Sequence, residues 1–143
     1  MNVASPAVAA GGEHTCATDG TTLWCWGGGY RGQLGVGTNG DQYAPAEVTA
    51  LTDVVALDAG NAHSCAALSN GELWCWGENS NGQLGTGLSG GTSTAPARVG
   101  TLSNVTAVAT GKYHTCAIDS NEVYCWGSTQ SGQVGNGTTG GAD

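Results

Sequence analysis

Phenylalanine is absent from this chain, methionine occurs once, and only Arg31, Arg98 and Lys112 are basic. Without phenylalanine, bulky packing falls to five tryptophans, the remaining apolar residues being mostly Ala, Val and Leu. The shortage of cations leaves a net charge of −8. Three scattered cations cannot form the basic stripe that nucleic acid requires, nor bind an anionic membrane surface. The acidic surface favours solubility and could attract a basic protein. No run of about 18 apolar residues exists, so no transmembrane helix is expected. Met1-Asn2-Val3-Ala4-Ser5-Pro6 lacks a basic stretch followed by an apolar core, so it carries no signal-peptide pattern. It reads as an initiator methionine on an excised segment. Gly140-Gly141-Ala142-Asp143 stops within a loop. A piece of a longer array, natural or engineered, is expected.

What the chain does contain is repetition. Cys25-Trp26, Cys75-Trp76 and Cys125-Trp126 recur every 50 residues, as do Gly32-Gln33-Leu34-Gly35, Gly82-Gln83-Leu84-Gly85 and Gly132-Gln133-Val134-Gly135. His14, His63 and His114 nearly keep the interval. Such a unit cannot bury its apolar face alone and must stack on copies of itself. The boundaries are approximately 1–50, 51–100 and 101–143, within one domain over 1–143.

The middle copy shows the local structure. Val54 to Ala59 and His63 to Leu68 are short apolar runs, and Ser69-Asn70-Gly71 supplies a hairpin turn before Glu72 to Trp76 returns. Both Asn70 and Gly71 accept positive φ. Pro96-Ala97-Arg98-Val99 forms a fourth extended piece, placed at an edge because proline lacks a ladder donor. The first copy turns at Asp19-Gly20 and the third at Ser120-Asn121, a weaker form of the signal. The 26 glycines suit tight turns and oppose helices. Four short strands per 50 residues predict an all-β fold of β-propeller blades. The last copy is incomplete. Ala-rich runs suit inner strands, and Trp26, Trp76 and Trp126 are expected between blades.

Each copy holds two cysteines flanking its hairpin turn. Cross-strand neighbours can reach disulfide distance, and the repeat selects Cys16–Cys25, Cys65–Cys75 and Cys116–Cys125. These bridges imply an oxidising compartment, hence a secreted or surface-exposed native parent. Two readings compete with them. One is free structural thiols. The other is zinc on His14, Cys16 and Cys25, which lacks its fourth ligand. No metal site and no cofactor are expected.

No catalytic site is expected either. The three histidines occupy one repeated position, where an imidazole bonding a neighbouring strand or loop is the simpler reading. Gln33, Gln83 and Gln133 satisfy loop backbone groups, a ligand role being the alternative. Asp19, Asp58 and Asp119 stand at turns or strand ends for backbone reasons. Asp41 lies in a Gly-rich loop without EF-hand spacing. Asn104-Val105-Thr106 and Asn136-Gly137-Thr138 match the glycosylation pattern.

Residues shared by all copies build the blade, and residues that differ are free to recognise something. Tyr30, Arg31, Tyr43, Glu78, Asn81, Lys112, Tyr113 and Gln130 are the candidate binding-loop residues, Tyr and Arg being favoured at binding hot spots. Their other reading is variable surface loop.

The residues Gly60 to His63, Leu73 to Gly77, Gly82 to Gly85 and Pro96 to Val99, with their counterparts in the other copies, resemble the regulator of chromosome condensation repeat. The resemblance implies a β-propeller, typically of seven blades. The founding member is a nuclear exchange factor that binds a small GTPase and chromatin. Other members are scaffolds, and a secreted bacterial branch inhibits β-lactamases. Function does not follow from fold. An arc of three blades would expose two faces, so closure with a second copy into a six-bladed ring is expected, a single open arc being the alternative. The functional expectation is a non-enzymatic interaction module whose rim loops bind a protein or peptide. The alternatives are a purely structural, self-assembling piece without a ligand, and an enzyme inhibitor.

Overall fold

A computed structural model describes residues 5–140 as three antiparallel sheets with no helix among them. The expectations for residues 1–4 and 141–143 lie outside the described residues. The first sheet holds β1 (Ala7–Ala10), β2 (His14–Thr18), β3 (Thr22–Gly27) and β4 (Gln42–Thr52) in that order. The second repeats the order with β5 (Val54–Ala59), β6 (His63–Leu68), β7 (Leu73–Glu78) and β8 (Thr92–Arg98). The third has only β9 (Val105–Thr110), β10 (His114–Asp119) and β11 (Glu122–Gly127). β1, β5 and β9 lie side by side while β4 and β8 scarcely approach, so the sheets fan out from a shared inner edge. Pro45 and Pro96 fall on the outer edge strands β4 and β8, where a missing N–H leaves no gap in a ladder.

Burial follows from stacking. Every residue of β6 is buried, because its sheet is covered on both sides. In β10 burial alternates, Thr115, Ala117 and Asp119 being buried and Ile118 exposed, because one side of its sheet faces outward. The core is accordingly two clusters, each between sheets. Cys16, Leu23, Cys25, Leu34 and Val48 of the first repeat pack on Ala66, Leu68 and Trp76 of the second. Cys65, Ala67, Leu73, Cys75 and Leu84 pack on Val105 and Ala117, with Trp126 beside them. A single repeat therefore supplies only half of each core, which is the physical basis of the repetition.

Each pair of cysteines stands directly opposite in register, and the bridges are Cys16–Cys25, Cys65–Cys75 and Cys116–Cys125. Cα atoms within each pair are 4.1 Å apart.

Two local expectations need correction. In the middle turn only Gly71 has positive φ, at 89°. Asn70 instead accepts the Glu72 N–H with its side chain at 3.0 Å, so its role is capping. In the third turn Ser120 and Asn121 both take positive φ, 54° and 68°, and Asp119 pairs directly with Glu122. This two-residue hairpin is the tightest of the three, although its sequence signal is the weakest, because both left-handed positions are filled by non-glycine residues. Trp26 is the second kind of correction. Trp76 and Trp126 sit between sheets, whereas Trp26 is half-buried on the outward side of the first sheet, which no other sheet covers among the described residues.

Candidate functional site

The meander places two connections of every repeat at one end of its sheet and the hairpin at the other. Tyr30 and Arg31 lie between β3 and β4, Asn81 between β7 and β8, Gln130 after β11, and Lys112 and Tyr113 between β9 and β10. Tyr43 is the second residue of β4 and Glu78 ends β7, at the same end. Backbone bonds tie the two connections together: Gly28 N to Glu13 O, Glu78 N to Ala62 O and Ser128 N to Tyr113 O. All eight candidate binding residues thus gather on one rim.

Within that rim the side chains are unequal. Tyr43 is 97% exposed and Tyr30 52%. Arg31 rests over the Tyr30 ring at 5.6 Å and reaches Glu78 at 3.9 Å, linking the first and second repeats. Lys112 lies 5.1 Å over the Tyr113 ring. Glu78 is buried and holds Ser80 Oγ at 3.1 Å, so it positions Arg31 rather than meeting a ligand. Gln130 and Asn81 have backbone N–H groups already bonded, to Ser128 Oγ and Gln83 Oε1. Asp41 accepts the Gly29 N–H at 2.9 Å and so orders the first rim loop. The chemistry available is cation and phenol recognition on an acidic background.

Below the rim lies an arrangement that spans repeats. His14 Nε2 meets Ser64 Oγ at 2.7 Å, and Ser64 Oγ donates to the Gln33 carbonyl at 2.9 Å. Trp76 Nε1 donates to that same carbonyl at 2.9 Å. The second junction repeats it: His63 Nε2 with Thr115 Oγ1 at 2.9 Å, Thr115 Oγ1 to Gln83 O at 2.8 Å, and Trp126 Nε1 to Gln83 O at 3.0 Å. A carbonyl only accepts, so each hydroxyl spends its proton there and must accept from the imidazole. This fixes the neutral Nε2–H tautomer at both junctions. Nδ1 of His14 and His63 is then a buried lone pair without a partner, and a proton placed there would find no acceptor. Burial accordingly lowers both histidines to about 4, with His14 and His114 adding repulsion at His63. These are latch residues, and neither is poised for acid–base work near neutrality.

The glutamine side chains serve the turn. Oε1 of Gln33, Gln83 and Gln133 accepts from the N–H of Arg31, Asn81 and Ser131, each at 2.8 Å. Gly35 and Gly85 adopt positive φ and lie against the Trp76 and Trp126 indoles, where a Cβ would come within 2.7 and 2.6 Å of Nε1. The carboxylates are mostly backbone acceptors. Asp19 binds Thr22 N and Thr21 N at the first hairpin, which holds its carboxyl below the usual range. Asp119 binds Ser103 N and Asn104 N. Asp58, one residue before the end of β5, also accepts a backbone N–H, that of Thr110 in the next repeat, at 2.7 Å. Among the described residues, no group of three or more His, Cys, Asp or Glu is placed to hold a metal ion.

Two features escaped the sequence reading. Ser64 and Thr115 complete the latch, and the signal was present, since a hydroxyl residue follows each histidine. The other is a cleft of about 450 Å³ between the second and third sheets, lined by Val99, Leu102, Tyr124 and Trp126 with Leu88 at its mouth. It depends on inter-repeat spacing, which no single copy encodes.

Comparison with known proteins places these features in context. Two profiles described as regulator of chromosome condensation (RCC1) repeat match the chain, one at residues 21–67 and 70–118, the other at 54–83 and 105–133. The chain is similar to Prp20p from Saccharomyces cerevisiae, a protein studied for its binding to Gsp1p and histones, at 30% identity and TM-score 0.75, covering 93% of this chain and 34% of that one. The same yeast protein bound to Kap60 gives the same values. Human WBSCR16 shares the fold, with TM-score 0.78 and 21% identity over 86% of this chain and 33% of that one. The chain therefore spans about a third of the length of these structures. No curated protein sequence matches it.

Proposed function

Since the chain belongs to the regulator of chromosome condensation repeat family, we propose that it is a non-enzymatic β-propeller interaction module whose rim loops bind a protein or peptide. The observation carrying this reading is the gathering of the copy-variant residues at one end of the sheets, with Tyr30, Tyr43 and Lys112 exposed there. Its relative Prp20p binds protein partners, which supports the class of ligand and not its identity. The net charge of −8 favours a basic partner and disfavours nucleic acid or an anionic membrane. Three disulfides support an oxidising, extracellular setting for the parent protein.

Selecting peptides from a displayed random library on the immobilised chain tests the rim. Enriched peptides should be basic, and Tyr30→Ala or Lys112→Glu should change their affinity about thirtyfold while leaving the circular dichroism spectrum unaltered. Peptides that bind both variants as they bind the parent would contradict the rim as the site.

A second reading concerns the same module's own assembly. The outward sides of the first and third sheets are apolar, with Val8 71% and Val123 70% exposed. A second copy of the chain covering both would give a six-bladed ring, and the exposed apolar area favours this over an open arc.

A further inference from the structure

Every junction between sheets uses one latch, and the two outward faces carry its two unmatched halves. Ser64 and Thr115 are buried under a histidine of the preceding repeat, whereas Thr15, their counterpart in the first repeat, is half-buried and faces outward. The indoles of Trp76 and Trp126 reach a glutamine carbonyl, but among the described residues no glutamine carbonyl faces the Trp26 indole. On the opposite face, His114 and Gln133 are half-buried where His14, His63, Gln33 and Gln83 are buried. A Cβ on Gly135 would meet nothing within 4 Å, in the space that Trp76 and Trp126 fill beside Gly35 and Gly85. The apolar surroundings correspond too. Ile118 is 37% and Val123 70% exposed where their counterparts Ala67 and Leu73 are fully buried. A shallow groove lined by Ala107, Ala109, Ile118 and Val123 marks that face.

Resting on the self-association reading above, we propose that two copies join head to tail through this latch. His114 Nε2 of one copy donates to Thr15 Oγ1 of the other, which donates to the first copy's Gln133 carbonyl. The second copy's Trp26 indole fills the space beside Gly135 and donates to the same carbonyl. The contact is between unlike faces, so each copy offers one of each. Two copies related by a twofold along the propeller axis then make two identical junctions. The occupant is a second copy because the missing half of either face is present on the other face of the same chain, residue for residue.

Sedimentation equilibrium of the oxidised 143-residue chain over a concentration series tests this. The parent should approach twice its 14.1 kDa mass. Thr15→Lys and His114→Glu should each weaken association about thirtyfold or more, and Ala44→Lys, on the exposed edge strand β4, should not. Combining Thr15→Lys with His114→Glu in one chain should recover association, because unlike faces bring the two new charges together. Circular dichroism establishes that each variant is folded. A dimer indifferent to these variants overturns the latch and leaves self-association standing. A dimer that the single changes weaken and the combination does not recover overturns the pairing of unlike faces. A parent chain that stays at 14.1 kDa overturns both.

Discussion

Removing the hydroxyl of Ser64 strands two groups at once, His14 Nε2 and one lone pair of the Gln33 carbonyl. Ser64→Ala should therefore cost about 2–3 kcal/mol, more than an ordinary hydrogen bond, because the groups left behind are buried. Thr115→Val should do the same at the second junction. Urea unfolding measures both, and losses below about 0.5 kcal/mol would contradict the latch. The histidines add a pH dependence. His14 and His63 are held at about 4 in the folded chain against 6.5 when free. As pH falls, the unfolded chain binds protons first, which favours unfolding. Stability should be full above about 6.5, decline towards 4 and stay reduced below it. The total loss is roughly 3 kcal/mol per histidine. Urea midpoints from pH 7 to 4 report this, and a flat profile would contradict neutral, buried imidazoles.

At the scale of the element, each sheet has a bridged hairpin, central in the two four-stranded sheets and at one edge of the third, and what the sequence displayed was the part contained within one copy. The Cys65–Cys75 register, the edge strands at Pro45 and Pro96, and the Gln33, Gln83 and Gln133 turns all follow from spacing inside a repeat. What lay hidden crosses between repeats: Ser64 meeting His14, Asp58 meeting Thr110 N, the cleft beside Tyr124. A tryptophan in the return strand looks the same in sequence whether or not a preceding sheet covers it, so placing large aromatics between sheets holds for Trp76 and Trp126 but not for Trp26. Reading the hairpins by glycine content also misranked them, since Ser120 and Asn121 hold the left-handed positions without one. Replacing Asn121 by alanine should destabilise the chain by about 1 kcal/mol, because alanine tolerates the left-handed conformation less well than asparagine. An unchanged urea midpoint would contradict a left-handed Asn121. Removing one bridge with Cys65→Ala and Cys75→Ala should cost about 2.5 kcal/mol for so short a loop. An unchanged denaturation midpoint would contradict a structural role.

For the whole molecule, three stacked sheets make two complete junctions and two half-junctions. The central claim is that the half-junctions are copies of the complete ones, open on one side. Hydrogen exchange of the tryptophan indole N–H groups, followed by NMR at a concentration where the chain is associated, tests this most directly. Trp76 and Trp126 each donate to a buried carbonyl and should exchange slowly. The account predicts that Trp26 is protected to a similar degree and loses that protection on dilution, while Trp76 and Trp126 keep theirs. A Trp26 indole that exchanges like a free one at every concentration would contradict it.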